Sequence, residues 1–167
     1  AVAHTRYSTT GSSNKKNCQP FLVTHRNRGV AVAHNGNLTN GLSLRRDLVR
    51  DGAIYQSTSD TEVILHLVAR SRRGPLLERF IEALRQIEGA YSLVALSNKK
   101  LIGARDPLGI RPLVLGSLDG KYILASETCA LDIIGATFVR DIPIDVEEAG
   151  LVDGATRWQI LRHLVAP

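Results

Sequence analysis

Val30-Ala31-Val32-Ala33-His34 runs straight into Asn35-Gly36-Asn37, a small apolar strand meeting a polar break. Alternating Val and Ala suits a pleated segment packed closely on both faces. Just upstream, Phe21-Leu22-Val23-Thr24-His25 has the same strand character, and Asn27-Arg28-Gly29 between them predicts a turn. Downstream the period changes. Leu42 to Val49 predicts a short helix stopped at Asp51-Gly52, where glycine can take a left-handed cap. Ser59-Asp60-Thr61-Glu62 fits a capping box, and Ile64, Leu67 and Val68 follow at helical spacing. Pro75, in a first turn, starts another helix with a Leu77, Phe80, Ile81, Leu84 stripe, which Gly89 stops. Strands return at Tyr91–Leu96, Leu101–Ala104, Leu113–Leu115 and Tyr122–Ala125, with turns at Asn98-Lys99-Lys100 and Asp119-Gly120. Strands, helices and strands again predict an α+β fold with helices outside a mixed sheet.

The 167 residues suit one domain, able to bury about two-thirds of its unfolded surface. A hydrophobic share of 44% with 22% charged residues excludes a disordered chain. No apolar run reaches the roughly 18 residues a spanning helix needs, so no membrane role is expected. Ala1-Val2-Ala3 leads into His4-Thr5-Arg6 without a signal-peptide pattern, and Cys18 and Cys129 stand far apart in no metal spacing. Both facts point to a cytoplasmic protein with free thiols. The net charge of +5 raises nucleic acid as a partner. Four Tyr, three Phe and one Trp do not interleave with the basic residues, and no nucleic-acid motif is present. The charge instead predicts a positive face toward an anionic substrate or an acidic partner domain. Methionine is absent even at position 1, so the sequence reads as a processed chain or, preferably, a fragment beginning mid-domain.

Four segments are more polar and glycine-rich than folding alone requires. In His4-Thr5-Arg6-Tyr7-Ser8-Thr9-Thr10-Gly11 an Arg fork and hydroxyl donors suit a carboxylate, although on composition alone a strand entering a polar loop is the better explanation. His34-Asn35-Gly36-Asn37-Leu38-Thr39-Asn40 is most simply a turn. It also offers an amide and a backbone N–H as paired donors for an oxyanion. Ser57-Thr58-Ser59-Asp60-Thr61-Glu62 is a helix start whose Asp60 carboxylate can pair with an ammonium. Arg105-Asp106-Pro107-Leu108-Gly109-Ile110-Arg111-Pro112 reads as a rigid loop braced by an Arg–Asp pair.

Together, and in this order, these segments resemble the class II glutamine amidotransferases, within them the amidophosphoribosyltransferase family. Arg6-Tyr7-Ser8-Thr9-Thr10-Gly11, Gln19-Pro20-Phe21, His34 to Asn40, Ser59 to Val63, Arg105 to Leu113 and Ser126 to Leu131 carry the likeness, over about residues 3–142. Hexosamine-forming synthases usually have Arg-Trp-Ala-Thr-His-Gly where this chain has Arg6 to Gly11, and asparagine synthetases differ at the oxyanion segment. The resemblance implies the four-layer α-β-β-α sandwich of the N-terminal-nucleophile hydrolases, with N-terminal strands missing, over residues 1–143, and a divergent tail at 144–167. It implies that an N-terminal Cys attacks the glutamine side-chain amide, its own α-amino group acting as base. A second, phosphoribosyltransferase domain would use the released ammonia to displace pyrophosphate from phosphoribosyl pyrophosphate. On this reading Arg6 and Thr9 hold the glutamine α-carboxylate, Asp60 its α-ammonium, and Asn35 with Gly36 the oxyanion.

Ala1, not Cys, stands first, so the nucleophile is expected upstream and the chain by itself is expected to be inactive. Cys18 reads as a packing residue. The resemblance implies no cofactor in this domain, Mg2+ in the transferase domain, and a homo-oligomer at full length. Three rivals stay open: an inactive glutamine-binding remnant, the corresponding domain of a sister such as a hexosamine-6-phosphate synthase, and a basic nucleic-acid-associated domain.

Overall fold

The computed structural model describes residues 1–5, 15–25, 28–72 and 74–139. Strands β1 (Phe21–His25), β2 (Arg28–Leu38), β3 (Gly89–Ser97) and β4 (Leu101–Arg105) form an antiparallel sheet in that order. Strands β5 (Val114–Leu118), β6 (Lys121–Ala125) and β7 (Thr137–Phe138) form a second sheet, ordered β6-β5-β7. Four helices accompany them among the described residues: α1 (Gly41–Arg50), α2 (Thr61–Arg70), α3 (Leu76–Leu84) and α4 (Thr128–Ile133).

The helical stripe read from the sequence is the face that packs. Val63, Ile64, Leu67 and Val68 of α2 and Phe80, Ala83 and Leu84 of α3 are buried in one cluster with Val32, Leu93, Ala95, Ile102 and Ala104 of the first sheet. Each large aliphatic or aromatic side chain fully removed from water contributes about 1.5–3 kcal/mol. Residues on the opposite face of that sheet meet the second sheet. A Cβ on Gly103 of β4 would lie 2.7 Å from Leu124 Cδ1 of β6. Beyond, a Cβ on Gly116 of β5 would lie 2.6 Å from Leu131 Cδ2 of α4. Leu124 pairs with Leu115, and Gly116 pairs with Ile123, so the two contacts fall on opposite faces of the second sheet. The layers therefore run helices, sheet, sheet, helix, as the resemblance implies.

Local signals behave as their chemistry requires. Gly52 has φ 94°, and α1 ends with Gly52 N–H donating to Val49 O and Ala53 N–H to Leu48 O, the paired bonds of a glycine-capped helix end. Asp119 and Gly120, at φ 52° and 72°, make the β5–β6 turn.

Three expectations change. Arg28 and Gly29, read as part of a turn, already belong to β2. Pro75 is the cap residue of α3 with extended backbone angles, and does not lie inside its first turn. The polar break at Asn35-Gly36-Asn37 is not a break: β2 continues to Leu38, with Asn35 opposite Ser92, Gly36 opposite Tyr91 and Leu38 opposite Gly89. Gly36 has φ 149°, and a Cβ there would fall 2.1 Å from Ala90 O. An Asn-Gly pair marks a turn only when the chain folds back on itself. Here β3 arrives from far along the chain and uses the missing Cβ to come close.

Candidate functional site

β2 carries His34 to Leu38 along one rung after another, and the loop before α2 carries Asp60 to meet it. Leu38 N–H donates to Asp60 Oδ2 at 3.0 Å, while His34 Nδ1 lies 3.5 Å from Asp60 Oδ1. The carboxylate thus spans Asn35 and Gly36, held by the residue before the pair and by the residue two beyond it. His34 is buried, and its Nδ1 is also 3.1 Å from Thr61 Oγ1. Burial alone would push the Asp60 carboxyl up. The hydrogen bond and charge of His34, with the Leu38 N–H, outweigh it and hold Asp60 below the usual carboxylate range. Asp60 is therefore anionic at neutral pH, as an ammonium-binding group must be. Asn35, on the same segment, is exposed.

The loop carrying Asp60 is fastened on several sides. The Glu62 carboxylate accepts from Gln56 N–H at 2.8 Å, Ser57 N–H at 2.7 Å and Ser57 Oγ–H at 2.5 Å. Arg45 donates to Ser57 O at 2.6 Å and stacks 4.0 Å from the Tyr55 ring centroid. The expected capping box does not form. Asp60 already has helical angles, and Ser59 Oγ accepts the Thr61 N–H at 3.3 Å, one residue short of the Glu62 N–H that the box would use. Glu62 in turn reaches to Gln56 and Ser57 instead of to Ser59.

Two amide side chains complete the frame. Gln19 Nε2 donates to His34 O at 3.0 Å, and His34 N–H donates to Gln19 Oε1 at 2.6 Å. Asn17 Nδ2 donates to Thr58 Oγ1 at 2.8 Å, and Thr58 N–H donates to Asn17 Oδ1 at 3.0 Å. Sequence reading passed over Asn17, assigned Gln19 only to a motif, and gave His34 no role. No local pattern marks such pairs, whose partners lie 15 and 41 residues away.

Of the residues expected in the site, the structure brings Asn35, Gly36 and Asp60 together. Arg6 and Thr9 lie outside the described residues. The space that a Gly36 Cβ would occupy is filled by the β3 backbone, so the missing side chain serves the strand contact. The loop after β4 is braced, but not by an Arg–Asp pair. Asp106 accepts from the N–H groups of Tyr91, Ile110 and Arg111 at 3.2, 2.8 and 3.0 Å. Among the described residues, no three His, Cys, Asp or Glu gather as a metal site, and no helix is long and apolar enough to cross a membrane.

The family model described as a glutamine amidotransferase domain matches residues 4–132. The chain belongs to this family. It is 61% identical over 142 residues to the amidophosphoribosyltransferase of Rhizobium etli, covering 85% of this chain and 29% of that protein. Against the chloroplastic amidophosphoribosyltransferase of Glycine max it is 53% identical over 144 residues, covering 85% and 25%. The solved glutamine phosphoribosylpyrophosphate amidotransferase of B. subtilis, complexed with ADP and GMP, superposes with a TM-score of 0.77 at 40% identity, over 83% of this chain and 30% of that one. This glutamine amidotransferase domain therefore has the N-terminal-nucleophile hydrolase fold. It spans under a third of the length of these relatives.

Proposed function

We propose that this domain is the glutamine-hydrolysing part of an amidophosphoribosyltransferase, which delivers ammonia to phosphoribosyl pyrophosphate to make phosphoribosylamine at the start of purine synthesis. The observation that carries the reading is the placement of the ionised Asp60 carboxylate astride Asn35 and Gly36. An anion for the α-ammonium thus stands beside donors for the far end of the same substrate. Asp60 fixes the ammonium, Arg6 and Thr9 take the α-carboxylate, and the Asn35 amide with the Gly36 N–H faces the amide oxygen. When a Cys thiolate adds to that carbonyl carbon, the C=O pair moves onto oxygen, and the two donors stabilise it. Collapse expels ammonia, whose nitrogen takes the proton that the nucleophile's α-amino group had removed from the thiol, and leaves a γ-glutamyl thioester, which water cleaves to glutamate and the thiol. The transferase domain, its Mg2+, a homo-oligomeric assembly and a cytoplasmic setting are parts of the reading that rest on the resemblance.

The test uses the full-length protein with Asp60→Asn and Arg6→Ala. Each change leaves one substrate charge unpaired, at about 2–5 kcal/mol. Glutamine-dependent phosphoribosylamine formation is expected to fall steeply while ammonia-dependent formation persists. Equal loss of both activities would show these residues to be structural.

A further inference from the structure

We propose that Asn17 and Gln19 are positioning residues, a clasp that sets the spacing between the oxyanion donors and the ammonium-binding carboxylate. The inference rests on the proposed glutamine site and adds to it two side chains that bond to Thr58 and His34.

The geometry starts from strand register. β1 pairs with β2 so that Phe21 faces Val32 and Leu22 faces Ala31. Continued backward, that register sets position 19 opposite His34. There the main chain no longer supplies the rung, and the Gln19 side-chain amide does, giving one donor to the His34 carbonyl and one acceptor to the His34 N–H. The carbonyl belongs to the peptide that joins His34 to Asn35. Two residues before Gln19, the Asn17 amide makes the same kind of reciprocal pair with Thr58, two residues before Asp60. Asn17 is 1% exposed, so its side of the pair is packed inside the protein, while Thr58 lies at the surface.

The contacts close a ring. From Gln19 it passes to His34, along β2 to Leu38, across to Asp60, back through Ser59 to Thr58, and through Asn17 to Gln19. Each non-covalent link includes a hydrogen bond donated by a backbone N–H, so the ring fixes main chain and not merely rotamers. Catalytic donors need placement within a fraction of an ångström, and a shift of about 1 Å can cost a hundredfold in rate. The two ends of the clasp serve different tasks. Gln19 governs where Asn35 and Gly36 stand, which matters once charge develops on oxygen. Asn17 governs where Asp60 stands, which matters on binding.

That difference supplies the test. In the full-length protein, Gln19→Leu and the near-isosteric Gln19→Glu are compared with Asn17→Leu and Asn17→Asp. Glu at 19 sets an oxygen against the His34 carbonyl, and Asp at 17 removes the donor to Thr58. Glutaminase kinetics are expected to show kcat reduced about tenfold to a hundredfold at position 19 with little change in KM. At position 17, KM for glutamine is expected to rise about tenfold or more with the smaller effect on kcat. Ammonia-dependent synthesis reports on folding. Its loss in both variants at a position, or equal kcat and KM changes at the two positions, overturns the clasp and makes these residues general supports of the fold. Normal kinetics overturn it too. An Asn35→Asp control separates the two levels. If that variant turns over normally, the site assignment fails; if it is impaired while Gln19 variants are normal, only the clasp fails.

Discussion

At position 35 a single atom decides between two roles. Asp has the shape of Asn and tolerates the same backbone, but replaces an N–H donor with a carboxylate oxygen that repels a developing oxyanion. Asn35→Asp is therefore expected to lower kcat for glutamine hydrolysis about a hundredfold or more, with KM changing much less. Steady-state glutaminase assays on the folded full-length protein check this, and near-normal turnover would remove Asn35 from the catalytic set. Gly36 cannot be probed in the same way. Its Cβ position lies 2.1 Å from Ala90 O and 2.7 Å from Tyr91 Cα, both backbone atoms with no easy retreat. Gly36→Ala is expected to part β2 from β3 and lower the urea midpoint of unfolding. An unchanged midpoint would contradict the close approach. Lost activity in that variant says nothing about the oxyanion, because the strand contact already explains the glycine.

The loop following β4 shows what an element can and cannot announce. Asp106 is 2% exposed and gathers three backbone N–H groups from β3 and from its own loop. Asp106→Ala leaves those donors without an acceptor, at about 1–3 kcal/mol for each that water cannot reach. Arg105→Ala and Arg111→Ala should each stay within about 0.5 kcal/mol. Urea unfolding distinguishes this from the Arg–Asp brace expected from sequence, in which the Arg changes would cost as much as the Asp change. The sequence showed that this loop is rigid; it did not show which atoms make it so. The same division holds elsewhere. Period and turn chemistry located α2, α3, the Gly52 helix end and the Asp119-Gly120 hairpin, because those depend on neighbours within a turn or two. The run of β2 through Asn35-Gly36 was hidden, because it depends on β3 more than fifty residues later. Glu62 was readable as a cap residue, but its true partners are Gln56 and Ser57. Asn35, Gly36 and Asp60 were singled out through the resemblance, and the structure sets them side by side, whereas Asn17, Gln19 and His34 acquire meaning only from who faces them.

For the molecule as a whole, the same carboxylates link stability to pH. Burial alone would push Asp106 up, as it would Asp60. The N–H groups of Arg111, Ile110 and Tyr91 outweigh it at Asp106, as His34 and Leu38 do at Asp60. Both folded-state pKa values therefore lie below their unfolded ones. A depressed carboxylate pKa means that the unfolded chain binds more protons in the window between the two values. The stabilisation is then fully present above the unfolded value of about 3.9, and is lost as pH falls through the folded one. The urea midpoint is accordingly expected to be insensitive to these two groups from neutral pH down to about 5, and to fall below about 4. Asp60→Asn and Asp106→Asn should each lower the midpoint at neutral pH. Each should also flatten the acid limb, so that variant and parent converge as pH drops. Parallel curves, with a constant gap down to the lowest pH, would mean that the carboxylate charge contributes nothing and only the side chain's shape matters. Glutamine binding offers an independent reading of Asp60. In the proposed role its grip on the ammonium is lost only on protonation, so KM for glutamine should begin to rise below the usual carboxylate range, and a rise centred near pH 6 would assign the titration to another group.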